Sequence, residues 1–259
     1  MAKVCDVLDF METVAPSSLK LEWDNVGLLC GRREKSVKKI LVALDPFPHV
    51  CQEAIDWGAD LIVTHHPLIF QPTKNVVDDN SVGRAILMLA KYDISAVNAH
   101  TNLDVASGGV NDVLAEVLGL REVTPIPTGE CPTGLVRCGY VPEQPLEEFL
   151  AHTKKRLGCE GLKYVSTGKP VRFVAVGGGA CGSDLRDVAQ KGCDTFVTSD
   201  IRYNQFWDAL ELGVNLIDAG HFHTENPVCA VLAEKLQQAF PETVVKVSEN
   251  HRDVAKFFL

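Results

Sequence analysis

The sequence predicts an α/β protein assembled from two copies of one unit, and three observations carry that reading. Short, β-branched apolar runs alternate with stretches of helical periodicity along most of the chain. A segment beginning at Gly58 recurs from Gly192. Histidines and acids collect just after the runs that read as strands. Strand carboxyl ends are where α/β proteins place ligands.

Taken in order, residues 4–14 place Val4, Val7, Leu8, Met11 and Val14 at helical spacing, and Pro16 closes the helix. Trp23-Asp24-Asn25-Val26-Gly27 reads as a turn-rich loop feeding an edge strand, with contact to a substrate an equal alternative. Residues 40–44 form a strand, and 49–57 a helix ended by Gly58. Leu61-Ile62-Val63 is too short for a helix and β-branched at two of three positions, so it is a buried strand. It ends in Thr64-His65-His66-Pro67, where Pro67 biases His66 towards an extended backbone. Residues 67–78 form an irregular loop and 79–92 a helix. A strand at 94–97 leads to Asn98-Ala99-His100-Thr101-Asn102-Leu103-Asp104, and Gly108-Gly109 opens a helix over 110–118.

Residues 121–134 hold Pro125, Pro127 and Pro132 with Gly129 and Gly134, and read as a linker. Beyond it come a strand (135–141), a helix (146–157) and strands at 162–165 and 171–176. Gly177-Gly178-Gly179 lacks the spacing of a phosphate-binding loop and reads as a tight turn into a helix over 184–190. Pro227 suits the first turn of a helix running to about residue 240. The implied organisation is a first lobe over 1–124 carrying the His-His-Pro loop and a second over 125–226. A C-terminal helix and strand over 227–259 complete the fold.

The repeat pairs Gly58-Ala59-Asp60-Leu61-Ile62-Val63-Thr64 with Gly192-Cys193-Asp194-Thr195-Phe196-Val197-Thr198. In each copy a later strand leads to a histidine with an acid four residues on: His100 with Asp104, and His221 with Glu225.

Composition narrows the function. With 259 residues, 46% of them hydrophobic, the chain can bury a sizeable core. A formal charge of −9 disfavours general affinity for nucleic acid or anionic membranes. The nine cysteines include no C-x-x-C pair, and several (Cys5, Cys51, Cys229) lie on apolar segments. They read as buried, reduced thiols of a cytoplasmic protein. The N-terminus is charged where a signal peptide is apolar, and no apolar run approaches a membrane span.

The strand ends together offer His65, His66, His100, Asp104, Asp200, His221, His223 and Glu225. Imidazole with carboxylate suits zinc, iron, manganese or nickel, and the lack of thiols argues against a closed structural zinc site. Two adjacent cations need a bridging carboxylate, for which Asp104 and Glu225 are the natural choices. Two ions roughly 3.5–4 Å apart can hold a water and make it hydroxide near neutral pH. For His100 and His223 an ordinary hydrogen-bonded role, or support of a ligand, is the favoured account.

Trp23-Asp24-Asn25-Val26-Gly27-Leu28, Thr64-His65-His66-Pro67-Leu68-Ile69-Phe70, the Asn98–Asp104 stretch and Gly220-His221-x-x-Thr224-Glu225 together resemble the NGG-interacting-factor-three family. Its bacterial members are called GTP cyclohydrolase I type 2 homologues. The resemblance implies two intertwined, duplicated α/β lobes with mixed sheets, and a toroidal homohexamer. It also implies a dinuclear metal site with His65, His66, Asp104, His221 and Glu225 as ligands, Glu225 bridging. One departure is Thr198-Ser199-Asp200, where the family usually has Thr-Gly-Asp or Thr-Gly-Glu followed by a histidine; this chain has Asn204 there. The expected function is that of a dinuclear-metal-dependent hydrolase on a small molecule, with nucleotides and GTP ring opening as candidates. The alternative is a non-catalytic metal-binding or regulatory protein.

Overall fold

The recurring Gly-x-Asp explains itself once its backbone partners are known. A computed structural model of the chain describes residues 1–129 and 131–258. Gly58 and Gly192 both stand at positive φ (72° and 88°) after a helix. Two residues on, the Asp60 carboxylate accepts the N–H groups of Lys38 and Lys39, at 2.8 and 3.1 Å. Asp194 does the same for Arg172 and Phe173, at 3.0 and 2.7 Å. The backbone around the two acids also matches: the Asp60 N–H donates to Lys39 and the Asp194 N–H to Phe173, each at 2.9 Å. Each aspartate thus stitches the start of one strand to the start of its neighbour.

The chain divides into two compact units. The first takes Met1–Ala106 and Val228–Arg252. Its five-stranded sheet runs Val244–Val247, Lys39–Ala43, Leu61–Thr64, Ser95–Asn98, Gly27–Cys30. All neighbours are parallel except the last pair, so the sheet is mixed, and Gly27–Cys30 is an edge strand as expected. Leu41, Ile62 and Ala96 on the sheet pack against Val50, Ala54 and Leu89 of the helices Pro48–Trp57 and Ser81–Lys91.

The second unit holds Ser107–Pro227 and the described residues after Arg252. Its six strands run Arg121–Ile126, Val136–Gln144, Val171–Val176, Thr195–Thr198, Asn215–Asp218, Lys163–Val165, again mixed in direction. The central strands are hydrophobic on both faces, as strands covered on both sides are. The mixed α/β class read from the sequence therefore holds. Thr64 pairs with Asn98, and Thr198 with Asp218, so each unit ends two parallel strands side by side where the chemistry-bearing residues follow.

Two local readings change. Residues 121–126 of the expected linker form the edge strand Arg121–Ile126, with a register irregularity between Arg121 and Thr124 and Glu122 at φ 54°. Five of its six residues are exposed, which erases the alternation a sequence reading needs, and an edge position tolerates Pro125. Glu130 of that stretch and the terminal Leu259 lie outside the described residues. The acids expected on loops sit instead on single helical turns, Thr101–Val105 and His221–Glu225. Among the described residues all nine cysteines are free thiols, seven buried and two, Cys5 and Cys30, half-buried. No helix among them is long and apolar enough to cross a membrane.

The segment after Val244–Val247 is fastened by one side chain. Glu53, 7% exposed, accepts the hydroxyl of Ser248 at 2.5 Å and the N–H groups of Glu249 and Asn250 at 3.0 and 3.2 Å. Burial pushes the Glu53 carboxyl up, but these bonds and Lys246 outweigh it and hold it below its ordinary value. The ionised form is thus favoured by folding, so Glu53 stabilises the fold above pH 4.5 and ceases to as pH falls through its depressed value. Glu53→Gln should flatten that acid limb in urea denaturation between neutral and acid pH. Asp194→Ala should cost roughly 1–3 kcal/mol by stranding backbone donors, and amide exchange of Arg172 and Phe173 should accelerate with it.

Candidate metal centre

In the first unit, the strand ends bring three imidazoles together. His65, His66 and His100 each offer a ring nitrogen within 4.8 Å of the others'. Each ring is held at Nδ1 by an acceptor: His65 by the Ala99 carbonyl at 3.0 Å, His66 by Asp45 at 2.7 Å, His100 by Asp24 at 2.8 Å. An acceptor at Nδ1 makes that nitrogen the N–H and Nε2 the lone-pair nitrogen, which is how metal-binding imidazoles are oriented.

The two aspartates are suited to this task. Burial pushes the Asp45 carboxyl up, yet hydrogen bonds from His251 and His66 prevail and keep it well below the usual carboxylate range. Asp24 is governed the same way: burial opposes ionisation, and His100 with Thr101 reverses it. Its second oxygen accepts both the N–H and the hydroxyl of Thr101, at 3.0 and 2.5 Å.

Asp104, buried, sets Oδ1 3.5 Å from Nε2 of His65. Its N–H donates to the carbonyl of His100, its motif partner, at 3.1 Å, while the His100 ring meets Asp24, and the repeat explains the difference from His221 and Glu225. Strand register aligns Ser95 with Asn215, so the helical turn from Thr101 aligns with that from His221. His100 therefore precedes its helical turn, whereas His221 opens its own. The two His-acid motifs are one residue out of phase with the fold. Over His100 stand Trp23 and Phe70, ring centroids 6.1 and 6.0 Å away, both about half exposed.

In the second unit His221 and Glu225 share one face of the helical turn, with Nε2 3.0 Å from Oε2. Nδ1 of His221 meets Asp200 at 2.7 Å, and Asp200 adopts φ 53° to reach it. Carboxylates thus stand at both nitrogens of the ring. Gly179, at φ 67°, passes close beneath: a Cβ there would strike Oε1 of Glu225 and come within 3.1 Å of Nε2 of His221. The triple glycine is a tight turn, as read from the sequence, but its reason is this close approach. His223 faces elsewhere, with Nδ1 3.2 Å from the Leu157 carbonyl and Nε2 3.4 Å from Asp253. Asn204 is exposed, and its amide donates to Asp208 at 3.5 Å.

Imidazoles oriented through Nδ1, buried carboxylates and no thiolate make a donor set that fits a first-row divalent cation. In the sequence reading Asp45 and His251 have no role; Asp24 stands in a loop with substrate contact as one alternative, and Gly179 in a tight turn, neither as support for a histidine or an acid. The one signal for Asp45 was its place just past a strand end, beside His66 on the neighbouring strand.

Comparison with known proteins shows the family. The family model Duf34/NIF3 (NGG1p interacting factor 3) matches residues 2–253, and the chain belongs to that family. It is 36% identical to the GTP cyclohydrolase 1 type 2 homolog of Clostridium perfringens, over 98% of this chain and 99% of that one. The protein of the same name from Methanocaldococcus jannaschii is 35% identical over 86% and 90%. The fold is similar to the crystal structure of the Bacillus cereus protein related to NIF3, with TM-score 0.93 and 27% identity over 100% of this chain and 99% of that one. Reduced HcgD from Methanocaldococcus jannaschii gives 0.84 and 32%, over 96% and 98%.

Gly179→Ala should therefore cost more than backbone strain alone, which is roughly 1–3 kcal/mol. Gly168→Ala, at φ 77° with open space around it, is the reference. A larger loss in urea for the first, with displacement of the Glu225 carboxylate in a crystal structure, is the expected result.

Proposed function

We propose that this member of the Duf34/NIF3 family is a metal-dependent hydrolase in which His65, His66, Asp104, His221 and Glu225 would hold two divalent cations. The observation that carries the reading is the common treatment of the imidazoles at Nδ1, which presents Nε2 as a donor. Two bound cations would supply Lewis acidity and an activated water. The protein's own residues keep the donors in register: Ala99, Asp45 and Asp200 fix ring tautomers, and Gly179 leaves room for the Glu225 carboxylate.

The substrate we infer is a small molecule with a planar ring, a nucleotide among the candidates. Its support is the pair Trp23 and Phe70, 5.7 Å apart edge to face and exposed beside His100. The name carried by the bacterial relatives points the same way. A cytoplasmic location accords with nine free thiols. The toroidal homohexamer belongs to the same proposal, and light scattering of the purified protein decides it.

Elemental analysis of protein purified without added metal should give two divalent ions per chain. His66→Ala and Glu225→Ala should each lower that number. The loaded wild type should release formate or phosphate from nucleotides, and His66→Ala should abolish the release. Metal binding without any product would favour the non-catalytic, metal-binding reading.

A further inference from the structure

The carboxylate of Asp45 holds two imidazoles at once. One oxygen accepts from Nδ1 of His66 at 2.7 Å, the other from Nε2 of His251 at 2.8 Å. His251 comes from 206 residues further along the chain, on the segment that follows the strand Val244–Val247. That segment is built to deliver it. Ser248 continues the ladder by donating its N–H to Val42 at 2.7 Å, and its hydroxyl bonds Glu53 at 2.5 Å. The same hydroxyl oxygen accepts the N–H of His251 at 3.1 Å, closing a turn that tips the ring inward. The ring ends with its side chain 6% exposed, against the edge of Phe47 at 6.1 Å and beside His49 at 5.8 Å.

We propose that His251 is a positioning residue for His66. By occupying one oxygen of Asp45 it stops the carboxylate rotating. The other oxygen then stays on Nδ1 of His66, and Nε2 stays the nitrogen that would hold a cation. The C-terminal segment thereby acts on the centre without touching it, through one shared carboxylate. This rests on the reading of His66 as a ligand. A metal-binding imidazole depends on its hydrogen-bond partner for about 10–100-fold in affinity. A group that steadies that partner should fall at or below the lower end.

The experiment compares wild type, His251→Ala, His251→Gln and Ser248→Ala. The His66 tautomer is read by ¹⁵N–¹H correlation in metal-free protein, and Zn²⁺ affinity by competition with a chelator. Wild type should show His66 protonated at Nδ1 alone. His251→Ala should give a tautomer mixture and weaken Zn²⁺ by about tenfold. His251→Gln, whose amide can still donate to Asp45, should recover most of both, and Ser248→Ala should fall between. Unchanged tautomer and affinity in His251→Ala, or equal losses in the Ala and Gln variants, would overturn the proposal. If the Ala variant does not fold, an unchanged tautomer in Ser248→Ala overturns it equally. Should His66→Ala leave Zn²⁺ binding intact, the ligand reading fails, while the tautomer response still decides whether His251 positions His66.

Discussion

What each histidine at the strand ends can do is decided by the acceptor at its Nδ1. An imidazole has one N–H and one lone pair when neutral, and whichever nitrogen meets an acceptor takes the proton. Here the acceptors are a main-chain carbonyl beside His65 and carboxylates beside His66, His100 and His221. Asp24 is buried and Asp45 half-buried, and hydrogen bonds from the imidazoles and Thr101 hold both acids well below the usual carboxylate range against the cost of burial. Ring orientation and acid ionisation are therefore one constraint, and neither partner could be replaced without altering the other.

The sheets serve that constraint. Parallel strands end level with one another, so residues just beyond Ala43, Thr64 and Asn98 share a rim in the first unit. Asp45, His65, His66 and His100 all follow from that arrangement. The Gly-x-Asp stitch at the opposite end of the same strands keeps them in register. The second unit repeats the stitch with Asp194 but diverges at the rim, where Ser199 and Asp200 occupy the places of His65 and His66. Duplication supplied the scaffold twice, and substitution at the rim gave the copies different donors. One copy is rich in imidazole; the other pairs a single imidazole with Glu225.

The phase slip between the two His-acid motifs shows how finely this is set. On His221–Glu225 the four-residue spacing means contact, because both residues lie on the same helical turn. Before Thr101–Val105 the same spacing joins backbone groups, the Asp104 N–H donating to the His100 carbonyl, because His100 sits outside the turn with φ −109° and ψ −110°. His100 turns to Asp24 instead, and Asp104 turns to His65. Glycine at 179 belongs to the same economy of space, since any side chain there would enter the Glu225 carboxylate.

Much of the fold was legible in the sequence. Helical spacing and β-branched runs marked the central strands and most helices, because burial imposes those periods directly. Arg121–Ile126 was not legible, since an exposed edge strand with a proline carries no such period. Local sequence also determined that histidines and acids stand at strand ends, because that needs only the order of elements. Which acid serves which ring was left to the tertiary structure: His66 with Asp45 and His251, His65 with Asp104, and His223 turned aside. Those pairings join residues tens to hundreds of positions apart, and hydrogen bonds depend on distance and angle in space, for which position along the chain carries no code.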